Sequence, residues 1–373
     1  MKKQTNRPDL ILLFLVIALS LSGTLAIYSA GSHFAKVRYG DELYFIKRQC
    51  IWLIIGFAAM YGATKIKAAH LKKSAVYLYG FTVLMLVLTL IIGFTGNGAK
   101  RWISLGPITI QPSEIAKLTM PLMLAVYFDN NRYRATESKL KRDQPLFGTV
   151  IPSAIMLLPI ILVMLQKHLS CIIILGTIGL LVIVLSGTKL KYLYTVGILG
   201  GLGVSYIAFF TDYTKERITV WRNPEAYKLT GGWQTLQGLM AIGSGGLFGK
   251  GFGKGELKLC YVSEPANDMI FSIICEEMGL VGATLILLLF CALIIRGFYI
   301  AGRCEGYFQR LVVLGIMTQV AVQTLLNIAV VTNSIPNTGI SLPFFSYGGS
   351  SLIMLLFEMG LVLSLSRESR IQK

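Results

Sequence analysis

The sequence predicts an all-α membrane protein that crosses the bilayer many times. Of its 373 residues, 54% are hydrophobic and 14% are charged, whereas charged residues make up about 25% of a soluble domain. Apolar runs of roughly 20 residues, the length that a helix needs to cross a ~30 Å hydrocarbon core, recur from Leu10 to Ser366. A soluble fold could not bury that much apolar surface.

Ten spans can be drawn, and the first, which follows Lys2, Lys3 and Arg7, is interpreted as a retained signal-anchor helix. An even number of spans places both termini on one side of the membrane. The predicted spans are 10–29, 49–64, 74–94, 113–128, 146–165, 169–186, 192–211, 269–295, 309–331 and 350–366.

The charge distribution orients these spans. The connections on the side of the termini are richer in Lys and Arg than the opposite short loops, with for example Lys72, Lys73, Arg132 and Arg134, and the positive-inside rule makes that side cytoplasmic. The predicted topology is therefore N-in, C-in. It also accounts for most of the net charge of +17, which in a soluble protein would suggest a nucleic-acid partner; none is expected here.

The long connection between the seventh and eighth spans, about 212–268, is placed outside by this topology, within a single membrane domain that covers 1–373. It is too long to be a simple turn. Its glycines between Gly243 and Gly255 would let backbone N–H groups approach an anion, and Lys250 and Lys254 would add positive charge. Turns with solvated lysines are the alternative, and no P-loop spacing is present.

Asp268 lies where this outer loop enters the eighth span. One interpretation is a helix N-cap, a role that Asp fills well. The other is a general base at the outer interface of the bilayer. The direction of its pKa shift stays open, because a helix N-terminus stabilises the anion whereas partial desolvation and Glu264 favour the protonated form.

Several polar residues fall inside the predicted spans. Ionised groups are costly there and usually face a partner or a cavity, so at least one of Glu276 and Glu277 should point into the bundle. Glu114 and Lys117 are three residues apart, on one helical face, and are expected to form a structural ion pair. A polar stripe in the ninth span either bonds between helices or lines a cavity: Gln319, Gln323 and Asn327.

Four ordered motifs resemble the SEDS family (shape, elongation, division and sporulation) over nearly the whole chain. They are Gly98-Ala99-Lys100-Arg101-Trp102-Ile103 with Gln111-Pro112-Ser113-Glu114, the glycine-rich run from Gly243 to Gly253, the stretch from Glu264 to Asp268 with Glu276-Glu277, and the run from Leu342 to Ser351. Two further segments resemble the FtsW and SpoVE branch more than the RodA branch: Tyr44-Phe45-Ile46-Lys47-Arg48-Gln49 and Lys250-Gly251-Phe252-Gly253-Lys254.

The resemblance implies ten membrane helices in the bacterial cytoplasmic membrane and a peptidoglycan glycosyltransferase that polymerises lipid II on the outer face, for septal synthesis in cell division. It implies Asp268 as the essential acidic residue. It also implies a class B penicillin-binding protein, a transpeptidase, as partner, together with other division or elongation proteins and membrane lipid.

The sequence departs from the family pattern in two places. Gln166-Lys167-His168-Leu169-Ser170 stands where the family has Gln-Pro-Asp-Leu/Phe-Gly, and Glu264 comes directly before Pro265 rather than after a proline. The first departure replaces an acid with a basic or neutral side chain. Asp268 itself is kept.

Polymerisation of a lipid pyrophosphate-linked sugar needs a base at the acceptor hydroxyl and positive charge at the leaving group. Asp268 is the predicted base. A divalent cation, Mg²⁺ or Mn²⁺, is considered as a cofactor that would share the charge of the pyrophosphate. The predicted pyrophosphate-binding residues are the basic residues of the outer side: Lys47, Arg48, Lys100, Arg101, Lys250 and Lys254.

Two other functions remain open at this point. A lipid II flippase would use the polar residues within the membrane, although no inverted repeat of the kind found in many transporters is apparent. A scaffold for a transpeptidase would need no chemistry at Asp268, which would then be only a cap.

Overall fold

The computed structural model describes residues 8–96, 99–105, 108–138, 140, 142–189, 191, 192, 194, 197, 212–259 and 266–367. Helices dominate these residues. They are α1 (Leu10–Tyr39), α2 (Tyr44–Ala63), α3 (Ala68–Ile92), α4 (Pro112–Arg132), α5 (Asp143–Leu165, with a π-helical stretch at Leu146–Val150), α6 (Leu169–Leu185), α7 (Asp212–Arg222), α8 (Trp233–Ser244), α9 (Ile270–Arg303), α10 (Tyr307–Val331) and α11 (Gly349–Arg367).

Each predicted span outside 192–211 coincides with one of these helices, and 192–211 lies largely outside the described residues. Within the described part of the chain, six helices are long and apolar enough to cross a membrane, namely α1, α3, α5, α9, α10 and α11. The ten-span count and the orientation stay predictions.

The segment between α3 and α4 departs from the all-α prediction. It forms a small antiparallel sheet of three strands in the order β1-β2-β3, with β1 at Phe94–Gly96, β2 at Ala99–Leu105 and β3 at Ile108–Ile110. In β2 the side chain of Ile103 is buried while those of Lys100 and Ser104 are exposed, the alternation that a strand imposes. The glycines of this segment indicate a loop but do not reveal such a short sheet.

The predicted outer loop contains helical structure that the sequence analysis missed. Helix α7 is followed by a 3₁₀ turn at Pro224–Tyr227 and then by α8. Helix α8 packs against the beginning of α9, and Gly238 permits this approach, since a Cβ atom there would lie 2.7 Å from the Cε of Met269. The outer segment is therefore a folded part of the protein.

Close helix packing organises the bundle. Helix α11 lies along α2, and a Cβ atom at Gly360 would overlap the backbone oxygen of Met60. A Cβ atom at Gly23 of α1 would likewise overlap the backbone carbonyl of Phe344. Small residues at such contacts let helices in a membrane approach one another closely. Helix α1 is thus held against the loop that precedes α11.

Ion pairs tie helices together at the end of the bundle that is predicted to face the cytoplasm. Asp9 caps α1 by accepting a hydrogen bond from the backbone N–H of Leu12, and it also accepts from Arg296 of α9, with 2.6 Å between Nη2 and Oδ2. Lys72 of α3 pairs with Asp129 of α4. The first contact joins helices that are distant in sequence, and the second joins two consecutive helices.

The predicted orientation can be measured with topology reporters. A reporter fused after Lys139 is expected to read cytoplasmic, and one inserted beside Lys228 is expected to read extracytoplasmic, because the Lys and Arg bias fixes orientation. Accessibility of single cysteines at the same two positions to a membrane-impermeant thiol reagent is an independent control. Matching locations for the two reporters would contradict the ten-span topology.

Candidate active site

Asp268 lies in the turn at 266–269 that leads into α9. The helix begins at Ile270, and its N-cap residue is Met269, with no capping hydrogen bond from that side chain. Asp268 is partly buried and precedes the cap position. Its role as a general base stays a prediction.

Hydrogen bonds fix the backbone of this turn. The N–H of Tyr347 donates to the carbonyl oxygen of Ala266 at 2.8 Å, and the hydroxyl of Ser346 donates to that of Asn267 at 2.9 Å. The side-chain amide of Asn327 donates to the carbonyl oxygen of Asp268 at 2.9 Å. The turn is therefore tied both to α10 and to the loop that precedes α11.

That loop comes closest to Asp268 at Gly339. Its φ of +68° is in the left-handed region that favours glycine, and a Cβ atom there would lie 3.0 Å from Oδ2 of Asp268. The two preceding residues are bonded to other parts of the chain. The carbonyl of Asn337 accepts a hydrogen bond from Arg217 Nη1 at 2.5 Å, and the carbonyl of Thr338 accepts one from the hydroxyl of Ser170. We call Asn337-Thr338-Gly339 the central loop.

A cavity of about 290 Å³ opens on one side of the central loop. Asn337 forms part of its wall, and the side-chain amide of Asn337 donates to Gln234 Oε1 at 3.2 Å. Helix α7 forms another wall, fixed by a hydrogen bond of 2.9 Å from the indole N–H of Trp221 to the carbonyl of Asn333. The polar and charged residues of its lining are Glu216, Arg217, Trp221, Gln234, Thr235 and Asn337.

The sequence analysis did not single out Arg217 or Asn337. Arg217 belongs to α7, a helix that was not predicted, and the distance along the chain hides its contact with Asn337. The signal that could have found it is the combination of a basic and an acidic residue, Glu216-Arg217, with Trp221 one helical turn further on. This pattern indicates an amphipathic helix rather than a simple loop.

Arg101 lies on the other side of the central loop. It donates a hydrogen bond of 2.5 Å from Nη2 to the carbonyl of Lys167, next to His168. Burial lowers the pKa of His168 to about 3, and the positive charges of Arg101 and Lys117 add to the effect, so the imidazole is neutral at pH 7. The departure from the family pattern at this position thus places a neutral group beside Arg101.

Of the other predicted outer basic residues, Arg48 lies beside Tyr347, whose backbone is bonded to the turn that carries Asp268. Its guanidinium lies 4.5 Å from the ring centre of Tyr44. Burial raises the pKa of the Tyr347 phenol, and a hydrogen bond with Arg48 lowers it in part. The two side chains therefore lie close together. Lys47 pairs with Asp41 at 2.8 Å, and Lys100 is exposed.

Lys250 belongs to the outer loop and contacts α9 at Glu276, about two helical turns beyond Asp268. Its ammonium group pairs with Glu276 at 3.0 Å and with Glu256 at 3.4 Å, and the hydrogen bond to Glu276 raises the pKa of Lys250. Lys254 is exposed. Glu276 and Glu277 are both buried, in agreement with the prediction that at least one of them points into the bundle.

The predicted ion pair in the fourth span is confirmed. Lys117 and Glu114 lie 2.7 Å apart, with 3% and 12% of their side chains exposed. A second carboxylate that the sequence analysis missed, Glu358 of α11, is fully buried within electrostatic range of Lys117 and accepts a hydrogen bond from Gln319 at 2.9 Å. Gln323 is buried on the same stripe of α10.

Asn327, at the end of that stripe, donates to the carbonyls of Asp268 and Ile340. The stripe thus forms an interhelical hydrogen bond at Gln319 and bonds to a turn and a loop at Asn327. No group of three or more His, Cys, Asp or Glu side chains that could hold a metal ion occurs within the described ranges. The divalent cation stays a prediction.

The arrangement combines one carboxylate with nearby positive charge. Asp268 can accept a proton, and the central loop beside it is bonded to Arg217 and to Ser170, three residues after the Lys167 carbonyl that accepts from Arg101. Guanidinium groups suit phosphate oxygens because they offer several N–H donors in one plane. Such a site can deprotonate a hydroxyl group beside a phosphate-bearing leaving group.

Comparison with known proteins gives a consistent result along the whole chain. Residues 9–371 match the model of the FtsW/RodA/SpoVE family, described as Cell cycle protein. Stage V sporulation protein E of Bacillus subtilis is 35% identical, over 99% of this chain and 100% of that protein. A protein of Geobacter sulfurreducens named Probable peptidoglycan glycosyltransferase FtsW is 33% identical, over 98% of this chain and 96% of that protein.

Solved structures show the same likeness. A chain from the structure described as structural coordination of polymerization and crosslinking by a peptidoglycan synthase complex has a TM-score of 0.81 at 28% identity, covering 98% of this chain and 99% of that one. The Rod shape determining protein RodA of Thermus thermophilus has a TM-score of 0.72 at 28% identity, covering 97% and 98%.

Proposed function

The chain belongs to the FtsW/RodA/SpoVE family, known as SEDS, and we propose that it is a peptidoglycan glycosyltransferase that polymerises lipid II on the outer face of the bacterial cytoplasmic membrane. The family and the long apolar helices make it a multi-pass membrane protein. The observation that carries the proposal is the position of Asp268, held by backbone contacts beside a central loop that leads to Arg217. The similarity to FtsW and SpoVE favours a role in septal synthesis over elongation.

In the proposed reaction, the hydroxyl oxygen of the acceptor sugar attacks the anomeric carbon of the donor. A new glycosidic bond forms, the bond from the anomeric carbon to the pyrophosphate oxygen breaks, and the lipid pyrophosphate leaves with the bonding electron pair. Asp268 takes the proton of the hydroxyl. Each turnover thus lengthens the glycan by one disaccharide and releases one lipid pyrophosphate.

Positive charge must meet the pyrophosphate as negative charge builds up on it. The residues proposed for this task are Arg217, which was not predicted from the sequence, and Arg101 and Arg48, which were. Lys250 is already neutralised by Glu276, which makes it less suited to this task. A Mg²⁺ or Mn²⁺ ion would supply further charge if it entered with the pyrophosphate.

The proposed partner is a class B penicillin-binding protein, which would cross-link the strands by transpeptidation. The similarity to a chain of a peptidoglycan synthase complex, described by polymerization and crosslinking, supports this pairing. Other division proteins and membrane lipid complete the proposed set of partners.

The test is polymerisation of labelled lipid II by the purified protein in lipid vesicles, with and without its transpeptidase partner. Glycan chains resolved on a gel are the expected product. A flippase would instead move lipid II across the vesicle membrane without forming chains, and a scaffold would do neither. Absence of chains under both conditions would contradict the proposed function.

Gly339→Ala is expected to slow polymerisation, by less than the ~10²-fold that a displacement of about 1 Å costs, because the added methyl group would lie 3.0 Å from Oδ2 of Asp268 and alanine is strained at a φ of +68°. Initial rates on lipid II measure the effect. Gly187→Ala is the matched control, since Gly187 also has a positive φ, of +81°, but lies beside Thr136. Equal rates for the two variants would remove Gly339 from the site.

A further inference from the structure

Helix α9 is interrupted, and a segment of the outer loop is bound at the interruption. Gly279 has a φ of +64° and a ψ of −167°, which breaks the helix between Met278 and Leu280. The carbonyls of Glu276 and Glu277 accept hydrogen bonds from the backbone N–H groups of Lys250 and Gly251, at 2.9 and 3.0 Å. The outer segment therefore replaces the next turn of the helix.

The contact continues on the other side of the break. The N–H groups of Leu280 and Val281 donate to the carbonyls of Gly246 and Leu247, at 2.9 and 3.1 Å. A Cβ atom at Gly249 would overlap the backbone of Glu277, so the two chains touch backbone to backbone. Residues 270–278 thus form a separate arm. Its first residue follows the turn that contains Asp268, and its last residue lies at this contact.

Two ion pairs fasten the same segment to the arm, one fully buried and one with a partly exposed lysine. The ammonium group of Lys258 lies 2.6 Å from Oε1 of Glu277, and only 5% and 3% of their side chains are exposed. Lys258 also donates to the hydroxyl of Ser29 at 3.0 Å, and that hydroxyl donates to Glu277. Ser29 belongs to α1, so this pair joins three parts of the chain.

The second pair involves the preceding carboxylate. Glu276 is fully buried and accepts from Lys250 at 3.0 Å and from the N–H groups of Glu256 and Leu257 at 2.9 and 3.3 Å. The N–H of Gly253 donates to Glu277 at 3.1 Å. Both carboxylates thus have charged and neutral donors, as buried carboxylates require. We call Ser29, Lys250, Lys258, Glu276 and Glu277 the latch.

If stability alone were required, apolar residues at these positions would suffice, because removing ions from water costs free energy. Charged groups with fixed donors define one geometry more sharply than apolar packing does. Glu277 lies about 10 Å along the helix from Ile270, at a rise of ~1.5 Å per residue. An arm held at this end by the latch and at the other by Asn327 and Ser346 has a defined position.

We propose that the latch sets the position of Asp268 by fixing the arm 270–278 to α1 and to the outer segment 246–258. Lys258 and Glu277 are then positioning residues of the polymerase, acting through the arm rather than on the substrate. The proposal rests on the function proposed above. It assigns to the glycine-rich outer segment a role other than binding the pyrophosphate.

The test compares Lys258→Met with Lys258→Arg in full-length protein. Lys258→Met is expected to lower kcat for lipid II polymerisation by about 10-fold or more with little change in KM, and to speed hydrogen exchange in 249–258 and 270–278. Lys258→Arg keeps the charge and is expected to retain most of the rate. Lys228→Met, an exposed lysine of the outer loop, is the control and should change neither quantity.

Lys258→Met leaves Glu277 buried without its cation, so it can fail to fold. The double variant Lys258→Met with Glu277→Gln removes both charges and is expected to fold, with the same fall in kcat and the same faster exchange. Wild-type kcat in either folded variant, or a lower kcat with unchanged exchange in the arm, would overturn the proposal. Hydrogen exchange is measured without substrate, so it tests the latch even if wild-type protein forms no glycan and the proposed function fails.

Discussion

Purified protein carrying Asp268→Asn is expected to lose lipid II polymerisation while it still folds, inserts into the membrane and binds its transpeptidase partner. Asn has the shape and the hydrogen-bonding oxygen of Asp, but it cannot accept the proton of the sugar hydroxyl. Removal of a general base costs about 10²–10⁴-fold in rate. The measurement is the initial rate of glycan chain formation, with binding of the partner measured on the same preparation.

Two further variants make this result specific. Asp268→Glu should also be impaired, because one more methylene moves the carboxylate by about 1 Å from the position that the turn at 266–269 gives it. Glu225→Gln removes an exposed acid of the outer loop and should polymerise at the wild-type rate. Wild-type rates for Asp268→Asn would return the flippase or scaffold function to first place.

The helical framework could be predicted because bilayer thickness sets a length that apolar runs must match. Helix α10 illustrates this: the predicted span 309–331 and the helix Tyr307–Val331 differ by two residues at one end. The sheet between α3 and α4 could not be predicted in this way. Its strands have three to seven residues, too few for a pattern of alternation to stand out from a loop.

Residues of the candidate site could be predicted only where a local sequence pattern marks them. Asp268 could be found because an acid at the entrance to an apolar span is conspicuous, and the Glu114–Lys117 pair because a spacing of three places both side chains on one helical face. Asn337 and Glu358 could not be found, because their partners are far away in the sequence, and for Arg217 the sequence pattern indicates a helix but not the contact with Asn337. Helix packing, rather than local pattern, brings Arg217 to Asn337 across 120 residues.

Lys250 is less available to a pyrophosphate than its place in the sequence suggests. Sequence places it among outer basic residues that could meet a pyrophosphate. In the structure its charge is bound by Glu276, a residue two helical turns after Asp268. Charge count alone therefore overestimates the number of cations available to substrate. Arg217, which lines the cavity beside the central loop, is the residue that we propose for that role in addition to those predicted from the sequence.

Breaking the ion pair in α4 is expected to have the largest effect on stability. Lys117→Met should destabilise the protein by about 3–5 kcal/mol, because it leaves Glu114 in a low-dielectric interior without its partner. Glu114→Gln should cost less. Glu358 is fully buried within electrostatic range of Lys117, so it can ionise as the counter-charge of the lysine when Glu114 is neutralised, whereas loss of the lysine leaves both acidic side chains without a cation at this position.

Thermal unfolding in detergent measures whether Lys117→Met loses more stability than Glu114→Gln. The readout is the fraction of monodisperse protein after heating. Lys73→Met, which removes an exposed lysine of α3, is the control and should unfold with the wild type. The charge-swapped double variant, Glu114→Lys with Lys117→Glu, should recover part of the stability. Recovery should be incomplete, because the swap brings a carboxylate to position 117, within range of Glu358. Full stability in Lys117→Met would mean that the buried pair contributes nothing, and a larger loss in Glu114→Gln than in Lys117→Met would mean that Glu358 does not compensate the lysine.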